Sequence, residues 1–172
     1  MDFLALVKRR ESCRAFTGET VDAASLETIV EAMRLAPSAT NQQPWRFVVV
    51  TDVSTRETMC KGMQRFTSDA GAFIVIVETG KRLTVKGMEK VKRQAWTHHD
   101  IGIAASHGTL MATELGLGSC IIGWFKERRV AEAVGMAKAD RIRLILAIGV
   151  KKTNDVRVKT RKTMDEVVRW IR

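Results

Sequence analysis

Arg10, Ser12 and Arg14 recur at alternate positions where a first amphipathic stretch ends, and Arg157, Lys159 and Arg161 repeat that spacing near the carboxyl end. In an extended backbone, alternate residues share a side, so each trio can converge on one ligand. Guanidinium forks beside a hydroxyl suit a phosphate, because charge-assisted bonds to its oxygens are strong and geometrically selective. The plainer alternative is a solvated basic run, favoured at the end of a helix by its dipole. A second feature is the stretch from Ala36 to Trp45, which holds both prolines of the chain around Ser38, Thr40, Asn41, Gln42 and Gln43. A stiff loop rich in amide and hydroxyl groups fits a flat polar heterocycle or a polyol, or is simply a helix-to-strand connection. The third runs from Leu115 to Trp124, an apolar strand behind a glycine-rich turn with Gly123 expected inside it. Glycine within a strand marks a bulge or the close approach of a ligand or another backbone. The pattern is not the GxGxxG dinucleotide fingerprint.

Other chemistries find little support. Cys13, Cys60 and Cys120 are odd in number and far apart, without metal-ligand or disulfide-framework spacing, so no metal is expected. His98 and His99 read as exposed residues at the start of a helix, and His107 as a packing or surface residue, rather than as proton-transfer groups. The net charge of +10 implies attraction to something anionic, whether nucleic acid, a membrane surface or phosphorylated small molecules. A nucleic-acid module is the rival reading, but no recognised motif is present and tyrosine, a frequent base-stacking residue, is absent, so no nucleic acid is expected. No apolar run is long enough to span a bilayer and the amino terminus lacks a secretory pattern, which predicts a cytoplasmic protein without a membrane partner.

The elements that must carry these residues follow from periodicity. The first ten residues predict a helix capped by Asp2, with Phe3, Leu6, Val7 and Arg10 on one face. Asp22 opens a second, with Leu26, Ile29, Val30 and Met33 inward, ending near Pro37. Strands are expected from Arg46 to Thr51 and from Phe73 to Val77, with a helix from Thr55 to Phe66 between them. The basic stretch from Lys81 to Trp96 reads as a mobile, partly helical excursion. A central helix from His99 to Leu115 presents Ile101, Ala104, Ala105, Gly108, Met111, Ala112 and Leu115 as a close-packing stripe. A strand from Ser119 to Phe125, a short helix from Glu127 to Val134 and an alternating strand from Ile142 to Val150 follow. A capping box at Thr163 and Glu166 opens a last helix with Met164, Val167, Val168 and Ile171 inward. At 172 residues this is an α/β or α+β sandwich, expected as one domain over residues 1–172.

The order and spacing of these motifs resemble the nitroreductase family of flavoproteins across nearly the whole chain. The R-R-E-S-C-R run is Arg9 to Arg14, the P-S-A-T-N-Q-Q-P-W loop is Pro37 to Trp45, and D-I-G-I-A…LGLGSCIIG spans Asp100 to Gly123. The resemblance implies an α+β three-layer sandwich, its mixed and mostly antiparallel sheet flanked by helices. It also implies FMN as cofactor, NADH or NADPH as electron donor, and a homodimer with the flavin at the subunit interface. By position, Arg10, Ser12 and Arg14 would hold the phosphate, ribityl chain and pyrimidine edge, and Lys159 and Arg161 would complete the phosphate site. Pro37, Ser38, Ala39 and Asn41 would come from the other subunit. Ile121, Ile122 and Gly123 would line the ring, the last two offering backbone amides. Glu11 departs from the family pattern, and Gln64 or Arg65 matches its usual polar ring contact only loosely. Trp45 and Trp124 would border the pocket. The implied activity is a two-step exchange in which NAD(P)H reduces the flavin and a nitroaromatic or quinone is then reduced. Flavin fragmentation, dehalogenation and a non-catalytic flavin carrier are its alternatives on the same scaffold.

Overall fold

The computed structural model describes residues 2–79, 90–137 and 140–172, with side chains for all of these except 90–95. Part of the basic stretch expected to be a mobile excursion, 81–89, therefore lies outside the described residues. Helix α1 spans Phe3–Arg9, and the Asp2 carboxylate accepts from the Ala5 amide, satisfying one donor that the first turn leaves free. Asp22 caps α2 (Ala23–Arg34) in the same way, with Leu26, Ile29 and Met33 buried. Strand β1 (Trp45–Val50) leads into α3 (Val53–Cys60), capped by Asp52. The helix expected to reach Phe66 ends at Cys60, and a separate 3-10 turn covers Arg65–Asp69. Strand β2 (Ala72–Glu78), the long helix α4 (Lys90–Glu114), β3 (Gly118–Ile122), α5 (Glu127–Ala133), β4 (Arg141–Gly149) and the single turn α6 (Met164–Val167) complete the order.

The four strands form one sheet in the order β1-β2-β4-β3, and all three pairings are antiparallel. A parallel element enters only as the isolated bridge between Ser12 and Ser119. The fold is thus α+β, because antiparallel neighbours need no crossover helix. Residues of β2 alternate between two cores. Ala72, Ile74 and Ile76 join a cluster with α2 and α4, while Phe73, Val75 and Val77 join another with Met59 of α3 and Val130 of α5. Strand β2 is therefore buried on both faces, between two helical layers.

Three departures concern faces. Ile142, expected to share a side with Leu144, Leu146 and Ile148, packs in the opposite cluster. The register shifts between Ile76 and Val77, which pair with Leu144 and Ile142, so Arg143 is an extra residue that reverses the alternation. The expected inward face of the last helix is in fact exposed: Met164 is 66%, Val167 60% and Ile171 88% accessible, and Val168 is only partly buried. That helix lasts one turn, and Val168 is already extended at φ −126° and ψ 128°, so a 3.6-residue periodicity has no length over which to act. Leu115, placed on the buried stripe of α4, is also exposed, because the chain reverses directly after it at Gly116, with φ +77°.

Gly108 shows how closely α4 packs. A β-carbon there would lie 2.8 Å from Met33 and 2.9 Å from Leu146, so the small residue lets α4 settle against both α2 and β4. Among the described residues, no helix is long and apolar enough to cross a membrane.

Candidate functional site

Arg10 terminates α1 with φ −57° and ψ 125°, turning the chain from helix to extended. The next residues are held by backbone pairing: the Cys13 amide donates to the Ser119 carbonyl at 2.8 Å, and Phe16 bridges Lys151. Cys13 and Phe16 are buried, which fixes the alternation and leaves Ser12 half-buried and Arg14 exposed. The Arg14 guanidinium lies 5.9 Å from the centre of the Phe66 ring, a cation–π contact that restricts a long side chain.

The carboxyl-terminal segment crosses the same place. Arg157 Nε donates to Glu11 Oε2 at 3.0 Å and its Nη2 donates to the Ser12 carbonyl at 2.7 Å. Glu11, the acid inside a basic run, is therefore the anchor for the returning chain. Lys159 Nζ donates to the carbonyls of Val7 and Lys8, which the end of α1 leaves without helical partners. Burial, then the neighbouring charges of Arg10 and Arg161, hold the Lys159 ammonium below its ordinary pKa. Three like charges from opposite ends of the chain thus sit close enough to oppose one another. An anion placed among them removes that repulsion.

Strand β3 adjoins this segment through the bridge between Ser12 and Ser119. Ile122 is buried in the core, Ile121 is 38% exposed, and Trp124 is 83% exposed. Gly123 lies just beyond β3, not inside it, because pairing with β4 ends at Ile122 opposite Ile145. Nothing in the packing demands glycine there: an added β-carbon would meet only Leu144, at 3.7 Å. Gln64 Nε2 donates to the Trp124 carbonyl, while Gln64 Oε1 is buried without a partner. Arg65 beside it is exposed. Ser119 Oγ, on the bridge to Ser12, is the other buried polar atom without a partner among the described residues. Burial, opposed by the charges of Arg14 and Arg157 and a hydrogen bond with Ser12, pushes the Cys120 thiol up, which suits a packing role.

The polar loop belongs to another part of the surface. Asp100 of α4 is buried, and its Oδ1 accepts from the Ala39 amide at 3.1 Å. Ser38 Oγ accepts from the Gln43 amide at 2.9 Å, and Asn41 Oδ1 accepts from Gln43 Nε2 at 3.0 Å. Thr40, Asn41 and Gln43 all adopt positive φ, at 51°, 55° and 46°. Left-handed conformations at residues other than glycine are costly and persist where surrounding bonds enforce them. Trp45 is buried and stacks on Phe47, with centroids 6.1 Å apart, so it belongs to the core. Between the loop and α4 lies a cavity of about 490 Å³, walled by Pro37, Ser38, Ala39 and Thr40 on one side and Trp96, His99, Asp100 and Ile103 on the other.

The structure thus groups Arg10, Lys159 and Arg161 at the end of α1, with Ser12 bridging to Ser119 of β3 and Arg14 resting on Phe66, while the loop of Pro37, Ser38, Ala39 and Asn41 is held against α4 instead. Among the described residues, no hydrogen bond joins that loop to the segment from Arg10 to Arg14. His98 and His99 lie well inside α4 and not at its start, and His107 Nδ1 is 3.2 Å from the Ala32 carbonyl, a packing contact. Sequence spacing did not reveal Phe66, Ser119 or the anchoring role of Asp100, since each acts through a neighbour distant in the chain.

The profile of the nitroreductase family matches residues 7–63 and 54–150. The chain belongs to the nitroreductase family. It is 26% identical over 200 residues to an oxygen-insensitive NADPH nitroreductase of Helicobacter pylori, covering 96% of this chain and 95% of that protein. An FMN-dependent nitroreductase of Clostridium difficile is similar in structure, with a TM-score of 0.76, 27% identity and 98% of each chain covered. A nitroreductase-fold protein of Exiguobacterium sibiricum, solved in complex with FMN, has a TM-score of 0.86 at 21% identity, covering 99% of this chain and 98% of that one, and shows the shared fold.

Proposed function

We propose that the chain is an FMN-dependent NAD(P)H oxidoreductase that reduces small acceptors such as nitroaromatics or quinones. In this reading the whole chain is one flavin-binding domain, and two copies complete each site. The observation that carries it is the meeting of Arg10, Lys159 and Arg161, where Lys159 Nζ is tied to the end of α1 and the mutual repulsion of the three cations suits a dianionic phosphate. The names of relatives supply the class of chemistry: an NADPH nitroreductase in Helicobacter pylori and an FMN-dependent nitroreductase in Clostridium difficile.

The residues present fit such a cofactor. Gln64 Oε1 is an acceptor without a donor, and the ring of a flavin carries an N–H at its pyrimidine edge. The open space above Gly123 would let a ring approach the strand end, where the amides of Ile122 and Gly123 would donate to it. Bound FMN would supply two-electron redox chemistry, accepting hydride from a nicotinamide and passing electrons to the acceptor. The protein's own part is positioning and electrostatics. Arg14, braced by Phe66, would place positive charge by the pyrimidine edge and favour the electron-rich state. Ser12 would add a hydroxyl donor to the phosphate or ribityl chain. Pro37, Ser38, Ala39 and Asn41 of the partner subunit would cover the opposite side of the ring. The apolar surface left by Phe3, Leu4, Val7, Val158, Trp170 and Ile171 supports that pairing, since a monomer would expose all six to water.

The visible spectrum before and after anaerobic NADPH tests the proposal. The protein as purified, or after FMN is added, should absorb near the flavin maxima and bleach on reduction. A colourless protein that takes up no FMN would overturn it.

A further inference from the structure

We infer that Lys159 is a site of acylation by small acyl phosphates, with Arg10 and Arg161 drawing in the phosphate group and Lys159 Nζ attacking the acyl carbon. The way the amine is held carries the argument. Lys159 Nζ donates to the carbonyls of Val7 and Lys8 in the last turn of α1, just before Arg10, and Arg161 follows two residues on in the returning segment. Two carbonyls take two N–H bonds, so a neutral amine keeps both and still has its lone pair free for an electrophile. Burial, then the charges of Arg10 and Arg161, disfavour the ammonium form, and Glu11, the acid that opposes them, is engaged by Arg157. Lys159 is half-buried and Arg161 exposed, which leaves the amine open to a small molecule from solvent. Lys152 offers a contrast, since its partner at 3.2 Å is the Asp69 carboxylate, which repels an anionic reagent.

The step balances with the acyl phosphate as its one co-reactant. The Nζ lone pair forms a bond to the carbonyl carbon, the bond from that carbon to the phosphate oxygen breaks, and the leaving phosphate takes the electron pair and then the surplus proton of the nitrogen. Two guanidiniums favour this departure, because charge builds on the phosphate as it leaves. They also raise the local concentration of an anionic reagent, an advantage that an uncharged acyl donor does not share. The amide formed carries no charge, so three cations become two and an acyl group stands where the amine was. The consequence rests on the flavin reading above: the acylated protein should hold the phosphate of FMN less tightly, and bound FMN should shield Lys159.

Acetyl phosphate added to the full chain, with and without FMN, tests the site when each modified lysine is quantified by peptide mass spectrometry. Without FMN, Lys159 should be acetylated about fivefold or more faster than Lys152, a preference that inorganic phosphate should suppress and that N-hydroxysuccinimidyl acetate, an uncharged donor, should show more weakly. Equal rates at Lys159 and Lys152 would overturn the assignment, as would a preference that inorganic phosphate leaves untouched or that both donors share equally. FMN titration reads the consequence, and acetylated protein should bind about tenfold more weakly than untreated protein. Lys159→Arg, which keeps a cation but has no amine to acylate, should bind FMN equally before and after treatment. A loss of affinity on treating Lys159→Arg would place the effect at other lysines and overturn the consequence. Protein that takes up no FMN yet shows the Lys159 preference would overturn the flavin reading while supporting the acylation site.

Discussion

Arg157 Nε donates to Glu11 Oε2 at 3.0 Å, joining residues separated by most of the chain, and the Arg157 side chain reaches on to the Ser12 carbonyl. This pair sets where the carboxyl-terminal segment lies relative to α1, and so where Lys159 and Arg161 stand relative to Arg10. The partners are unequally exposed, with Glu11 the more buried.

Arg157→Ala should cost only about 1 kcal/mol of stability, as expected for a pair with one exposed partner. Its effect on FMN retention should be larger than that figure suggests, because the cations lose their register. Thermal melts and flavin release on dilution, measured together, check this. Equal FMN affinity in mutant and wild type would count against the register argument.

Lys159→Met separates binding from folding. Its folded pKa is lowered, so the charged side chain weakens the fold in full below the folded pKa, a penalty that fades as pH rises from there and is gone above the pKa of the unfolded chain. The mutant protein without cofactor should therefore melt no lower than wild type near neutral pH. FMN affinity should fall by about tenfold or more, the loss of one charge-assisted bond. Titration of flavin fluorescence and a melt without FMN provide the two readings.

Asp52 caps α3, and hydrogen bonds from the Ser54 hydroxyl and then from the Thr55 amide and hydroxyl hold its carboxyl at about 2, below the ordinary 3.8. A depressed folded pKa contributes stability that is fully present above the unfolded value and is lost as pH falls through the folded one. Wild type should therefore lose stability between about pH 4 and pH 2 by a contribution that Asp52→Ala lacks. Acid denaturation of the two proteins makes the comparison.

Gly108→Ala places a methyl group against Met33 and Leu146. The fold should lose about 1–3 kcal/mol, the usual cost of overpacking a filled core, measured by chemical denaturation. An unchanged midpoint would mean that α4 can shift away from β4.

Asp100→Leu leaves the Ala39 amide without its acceptor and releases one wall of the cavity. About 1–3 kcal/mol should be lost, since a donor held away from water goes unpaired. Denaturation of Asp100→Asn, whose amide oxygen can still accept, should show a smaller loss.

Most element positions were legible in local chemistry. Asp2 and Asp22 announced two helix starts, Pro37 marked the end of α2, and the strands about Val48, Val75 and Leu146 were found within a residue or two of their ends. Faces were less legible. The extra residue at Arg143 reverses the side on which Ile142 lies, a property of pairing with β2 that no period in β4 reveals. Likewise the capping box at Thr163 starts a helix correctly but cannot fix its length, which depends on what the segment packs against.

The sequence by itself determined the kinds of group available: alternating cations at both ends, an amide-rich loop between prolines, and small residues along α4. Those are local properties, set by side-chain chemistry and spacing. Only the tertiary structure decided that Arg157 would pair with Glu11, that Arg14 would rest on Phe66, and that Gln64 would meet Trp124. Each contact joins segments far apart in the chain, and their meeting is fixed by the burial of a sheet between two helical layers, a balance of packing over the whole molecule.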